Sequence, residues 1–264
     1  MICLSLLFHI CDTNHRGQFE TALRLLPFES QTRIISKKFS KDAQTALANQ
    51  LLQRYICCCL TGKTIRDLQF TTNEYGKPRL VDSDVAFSMS NQRGYTSMVV
   101  SLIGIEVGVD LASTDDVNQF GDDDYIKHFR DIFHPKEFEY LESIKDERTR
   151  RDVFTHFWAL KESYTKLLGV GLNGDLTSYW FSNVEPLYYT EQADENSEGL
   201  IIHSRIKWDN QISLRVFDNL EKTSIFSTMI DNQVVVSICQ DAPTHDTSPL
   251  LIEVPLKTIM DFFQ

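Results

Sequence analysis

Apolar and polar residues alternate along this chain in a way that predicts a helical first quarter, a run of strands, a second long helix and a strand-rich final third. Met1–Ile10 is apolar and reads as a buried first strand. Periods of three and four then predict helices over 18–26 and 30–56. The second carries one stripe of Ile34, Ile35, Phe39, Ala43, Leu47, Leu51, Leu52 and Tyr55. Residues 66–81 predict strand, turn, strand, with Gly76 able to take a backbone conformation closed to other residues and Pro78 fixing the exit. Strands at 85–91 and 95–107 follow, then helical segments at 124–134 and 135–147 with Pro135 near an N-terminus. From 153 to 172, Val153, Phe157, Leu160, Tyr164 and Leu168 recur at helical spacing, and Gly169 suits a left-handed helix end. Beyond 175, strands are predicted at 179–181, 200–202, 206–208, 212–216, 224–229 and 234–239, with a polar loop at 190–198. An amphipathic tail over 251–263 reads as a last strand and helix, and the whole final third as completing the sheet of a second half.

Composition narrows the function. The 264 residues suffice for one large domain or two smaller ones. A net charge of −11 argues against a nucleic-acid binder with a broad basic surface, so any phosphate ligand must meet a local cluster of lysines and arginines. The six cysteines show no zinc-type pairing; Cys57-Cys58-Cys59 falls in a helical apolar pattern, as reduced thiols do, and suggests a cytoplasmic protein. No basic segment precedes the apolar start, and no run of about 18 apolar residues occurs, so neither a signal peptide nor a membrane-spanning helix is expected.

Several charged positions are ambiguous alone. Lys37, Lys38 and Lys41 form a basic helix face, which is usually just solvated. Lys77 sits in a turn and Asp110 in a short apolar run. The acidic stretch 115–124 fits no calcium-loop spacing and reads as a mobile solvated loop. Trp158, Glu162 and Lys166, at i, i+4 and i+8, share a second helix face; a bare Glu–Lys pair there contributes about 0.2–0.5 kcal/mol.

Four segments change the weight of these residues when taken in order. They are Gly76-Lys77-Pro78, Phe87-Ser88-Met89-Ser90-Asn91, Gly108-Val109-Asp110-Leu111-Ala112, and Trp158, Lys161, Glu162, Lys166, Gly169, Gly171 and Leu172. The series resembles the two-domain 4′-phosphopantetheinyl transferases from about residue 20 to 182, and its wording is similar to that of the fungal members that activate α-aminoadipate reductase.

The resemblance implies an α+β fold of two similar halves related by pseudo-twofold symmetry, residues 1–107 and 108–264, with the active site in the cleft between them. It implies transfer of 4′-phosphopantetheine from coenzyme A to a serine of an apo carrier domain, that of α-aminoadipate reductase, by a monomer that needs neither nucleic acid nor membrane. Asp110 and Glu162 would hold magnesium; Glu162 and Lys166 would be catalytic, with Glu137 a second choice of base. Lys41, Lys77, Ser88, Ser90 and Asn91 would grip coenzyme A, Lys37 and Lys38 being possible helpers. The chain departs from the family pattern twice: Asn91 replaces a histidine and cannot become cationic, and Ala112 replaces a second carboxylate, for which water can substitute on magnesium. These departures leave open the alternative of a non-catalytic module that binds coenzyme A or a carrier.

Overall fold

The computed structural model describes residues 4–9, 16–102, 104–120, 125–189, 195–197, 199–242 and 248–264. Strand β1 (Leu4–His9) leads to helices α1 (Arg16–Arg24), α2 (Phe28–Ile35) and α3 (Ser40–Thr61). The single helix expected over 30–56 is therefore two. Ser36 closes α2, its amide donating to the Thr32 carbonyl at 3.0 Å and its hydroxyl to that of Arg33 at 2.9 Å. Such local bonds offer the backbone an alternative to helix, and Phe39 is extended before α3 begins. The expected stripe breaks with the helix: Ile34 is buried, Ile35 and Phe39 are exposed, and α3 packs through Leu47, Leu51, Leu52 and Ile56.

Strands β2 (Phe70–Thr72) and β3 (Pro78–Leu80) form the expected hairpin, with Gly76 at φ 88°. Strands β4 (Ala86–Gln92) and β5 (Tyr95–Ser101) are joined by Arg93-Gly94, both at positive φ. The strand expected over 95–107 stops at Ser101. The chain turns at Gly104 (φ 70°) and restarts as β6 (Val107–Ser113) in a different sheet; Ile103 lies outside the described residues. A 3₁₀ turn at Tyr125–Phe129 stands where a helix was expected over 124–134. Helix α4 (Pro135–Ser143) ends short of 147 because Asp146 caps α5 (Glu147–Leu168) through the Thr149 amide at 2.8 Å. In α5, Val153, Phe157, Leu160 and Tyr164 are buried as expected, whereas Leu168 is exposed; Gly169 ends the helix at φ 70°.

The remaining strands are β7 (Tyr179–Ser182), β8 (Glu195–Ser197), β9 (Leu200–Ile202), β10 (Ser213–Val216), β11 (Asn219–Leu220), β12 (Ser224–Met229), β13 (Val234–Gln240) and β14 (Leu250–Glu253), followed by α6 (Leu256–Phe263). Part of the expected loop at 190–198 is thus strand β8, the rest lying outside the described residues; no strand forms at 206–208. The expectation that the final third completes a second sheet holds for β12 and β13, which join β6 in the order β12-β13-β6. It fails for β8, β9 and β14, which extend the first sheet in the order β4-β5-β1-β14-β9-β8. Strand β1 pairs with β5 on one edge, and β14 satisfies the backbone groups of the other in parallel. Val254, Leu256 and Ile259 of the tail then pack with the α3 core. Among the described residues no helix is long and apolar enough to cross a membrane.

Candidate active site

Helix α5 lies directly on β6 because residue 108 has no side chain. A Cβ at Gly108 would collide with the Ser163 carbonyl oxygen and the Leu167 amide, so glycine alone permits this approach. Residues 108, 110 and 112 share one face of the strand. They meet successive turns of the helix: Gly108 at Ser163 and Leu167, Asp110 at Lys166, and Ala112 at Ala159.

Lys166 Nζ donates to Asp110 Oδ1 at 2.7 Å, and Ser90 Oγ donates to the same oxygen at 2.9 Å. The Ser90 oxygen in turn accepts the Leu111 amide at 3.2 Å, which fixes its orientation. Asp110 is buried, and burial raises its carboxyl above the usual carboxylate range against the pull of Lys166 and Ser90. Glu162, one turn before Lys166, makes no hydrogen bond through its carboxylate among the described residues. It too is raised, first by burial and then by the Asp110 charge, with Lys166 opposing. Two such acids served by one ammonium leave a local deficit of positive charge. This donor set fits a divalent cation of the magnesium type, which needs one or two carboxylates beside water and phosphate oxygens. Among the described residues no cluster of three or more acids, histidines or cysteines offers a fuller protein cage. Ala112 packs with Ala159, Met229 and Val235, so the place of a second strand carboxylate is apolar.

A cavity of about 350 Å³ lies between the start of α3 and the β4–β5 turn, lined by Lys37, Lys41, Thr45, Asn49, Asn91 and Arg93 among others. Lys41, Asn91 and Lys37 therefore line one cavity, whereas Lys38 lies 5.3 Å from the Phe39 ring centre.

Three expected site residues lie elsewhere. Ser88 is buried and accepts the Val109 amide at 3.1 Å, tying β4 to β6. Lys77 Nζ is occupied by Glu106 at 2.6 Å and by the carbonyls of Leu167 at 3.0 Å and Val107 at 3.2 Å, with its side chain only 8% exposed. It acts as the cation at the C-terminal end of α5, where unpaired carbonyls and the helix dipole favour one. Asn73 does the same work from the same turn, donating to the Gly169 carbonyl at 2.7 Å. Glu137 is buried against Lys161 and closes the capping box of α4, with no hydrogen bond to Asp110, Glu162 or Lys166 among the described residues. The acidic stretch is likewise not simply solvated: Asp115 pairs with Arg93, and Asp116 accepts from Gln92 at 2.6 Å, while Asp122, Asp123 and Asp124 lie outside the described residues.

Two features escaped the sequence reading. Arg93 carried a signal, a bulky cation in a turn before glycine. The closeness that Gly108 permits carried none, because it depends on a helix far along the chain.

This geometry accords with the comparisons. The model of the 4′-phosphopantetheinyl transferase superfamily matches residues 106–239, and that of the 4′-phosphopantetheinyl transferase N-terminal region matches 13–102. The chain is 36% identical to an L-aminoadipate-semialdehyde dehydrogenase-phosphopantetheinyl transferase of Candida glabrata, over 80% of this chain and 81% of the relative. It is 31% identical to the protein of that name in Saccharomyces cerevisiae, over 93% and 84%. A 4′-phosphopantetheinyl transferase of Aneurinibacillus migulanus is 29% identical over 63% and 67%. The chain belongs to the 4′-phosphopantetheinyl transferase superfamily.

Proposed function

We propose that this chain moves 4′-phosphopantetheine from coenzyme A to a serine of the apo carrier domain of α-aminoadipate reductase, in lysine synthesis. Membership of the superfamily supports the group transferred, and the printed names of the two fungal relatives support the acceptor. The observation that carries the chemistry is the convergence of Asp110, Glu162 and Lys166 where α5 crosses β6.

In the transfer, the serine oxygen attacks the phosphorus bearing the pantetheine. A serine O–P bond forms, the pyrophosphate P–O bond breaks, and adenosine 3′,5′-bisphosphate leaves. Glu162 accepts the serine proton, directly or through a water, from its place beside Asp110 and Lys166. Lys166 faces the charge that develops on the phosphoryl oxygens. Ser90 keeps the Asp110 carboxylate aimed. Asp110 and Glu162 would hold magnesium, whose chemistry is to neutralise and orient the pyrophosphate. A carboxylate has two oxygens, so holding a cation and accepting a proton are compatible roles for Glu162. Lys37, Lys41 and Asn91 hold the phosphate end of coenzyme A in the cavity they line. We assign the reaction to the cytoplasm and to a monomer.

The test is the intact mass of an α-aminoadipate reductase carrier domain after incubation with this protein, coenzyme A and magnesium. The expected result is a gain of one phosphopantetheine, lost with Glu162→Gln. Tight coenzyme A binding without any gain would instead favour a binding module.

A further inference from the structure

We propose that Arg93 is a binding residue for the terminal phosphomonoester of coenzyme A, and that Asp115 holds its guanidinium until that phosphate arrives. The inference rests on coenzyme A being the donor. In a chain of net charge −11, three cations, Lys37, Lys41 and Arg93, line one cavity. Asn91 can donate there but carries no charge; Arg93, two residues on, supplies one. Arg93 also occupies a costly place. With Gly94 it forms a two-residue hairpin turn in which both residues have positive φ, 49° and 90°, a conformation that asparagine or glycine adopts with less strain. Strain kept by a residue that the hairpin does not need points to a use for its side chain.

That side chain now pairs with Asp115, and the two are 39% and 40% exposed, so water reaches the pair and it exchanges readily. The bond from Gln92 to Asp116 keeps the turn beside the loop that bears Asp115. A phosphomonoester offers the guanidinium a charge near −2 and a matching set of oxygens, which outcompetes a single carboxylate.

Calorimetric titration with coenzyme A and with dephospho-coenzyme A, which lacks only the terminal phosphate, tests this in the wild type, Arg93→Asn and Asp115→Asn. Asparagine suits the turn, so Arg93→Asn should keep or raise Tm. Its Kd for coenzyme A should rise about tenfold, the scale of one charge-assisted contact, with the Kd for dephospho-coenzyme A unchanged. Asp115→Asn should tighten coenzyme A a few-fold. Equal losses on both ligands, or none, overturn the role of Arg93, and weaker binding in Asp115→Asn overturns the competition. A wild-type protein that binds neither ligand and modifies no carrier sinks the donor assignment itself.

Discussion

Glu137 and Lys161 meet at 2.8 Å with neither side chain exposed to solvent. The carboxylate also accepts the amides of Phe181 at 2.8 Å and His134 at 3.0 Å, and the ammonium reaches the carbonyls of Tyr179 at 2.6 Å and Leu176 at 2.8 Å. The pair therefore binds α4, α5 and β7 together with all three ammonium donors and both carboxylate oxygens engaged. Lys161→Met should cost about 3–5 kcal/mol, because a buried carboxylate loses its counter-ion. Glu137→Gln with Lys161→Met should recover part of that loss. Urea unfolding of the three proteins reads both effects. A Glu137→Gln variant of unchanged stability but lost transfer would return Glu137 to the reaction.

Glu162 has the opposite profile: a half-buried acid beside Asp110, with no carboxylate hydrogen bond among the described residues to lose. Glu162→Gln removes repulsion between two acids, so Tm should hold or rise. The single-turnover rate of carrier modification should fall at least about 100-fold, the usual scale for losing a general base. A drop in both Tm and rate would mean that Glu162 is structural.

Gly108→Ala tests the contact that builds the site. Its Cβ would meet backbone atoms of α5, which cannot rotate away as a side chain can. The helix must lift from β6, at a cost of about 1–3 kcal/mol or more. Lys166 and Asp110 should separate, so transfer should be lost in protein that remains folded by circular dichroism. Normal transfer in Gly108→Ala would show that this closeness is dispensable.

What the sequence disclosed follows from what is local. The α5 periodicity, its glycine end and the Asn73–Pro78 turn are set by neighbouring residues, and the structure has them as expected. Helix spacing put Glu162 and Lys166 on one face, but that Asp110 would meet them was implied only by the resemblance to the family; the structure brings the three together. Lys77 and Ser88 meet backbone groups in the structure, a carbonyl and an amide, because these residue types serve a phosphate or the backbone equally well and only the packing of β3, β4, β6 and α5 selects between them. The break at Ser36 was hidden because Ile35 and Phe39 keep helical spacing while pointing to solvent. The return of β14 to β1 is parallel and joins opposite ends of the chain, beyond the reach of any local pattern.

Lys41 and Lys77, paired in the sequence reading as phosphate ligands, should now behave differently. Lys77→Met strips three contacts, to Glu106 and to the carbonyls of Val107 and of Leu167 at the end of α5, and should lower Tm while leaving the coenzyme A KM within about twofold. Lys41→Met should leave Tm unchanged and raise that KM about tenfold. Thermal melts and initial rates on the same preparations make the comparison. A raised KM in Lys77→Met at unchanged Tm would restore its phosphate role.

His156 makes the fold sensitive to acid. It lies fully buried in α5, with Nδ1 2.9 Å from the Glu185 carbonyl and Nε2 without a partner among the described residues. The carbonyl can only accept, so Nδ1 carries the proton and Nε2 is bare; protonation would bury an N–H and a charge with nothing to receive them. Burial accordingly lowers the imidazole to about 4, against a weaker upward pull from the Glu185 carbonyl and Asp209. The folded value lies below the unfolded one, near 6.5, so the unfolded chain binds the extra proton and stability falls as pH drops between the two. The loss from this group should be about 2 kcal/mol between pH 7 and 4.5, approaching about 3 kcal/mol below pH 4. Its carboxylates also titrate there, so the informative comparison is with His156→Asn, whose amide can still donate to the Glu185 carbonyl but does not ionise. The variant should be less stable than the wild type at pH 7, where a packed ring is lost, yet its urea midpoint should shift much less on acidification. Parallel pH profiles for the two proteins would show that His156 is not the acid-sensitive group.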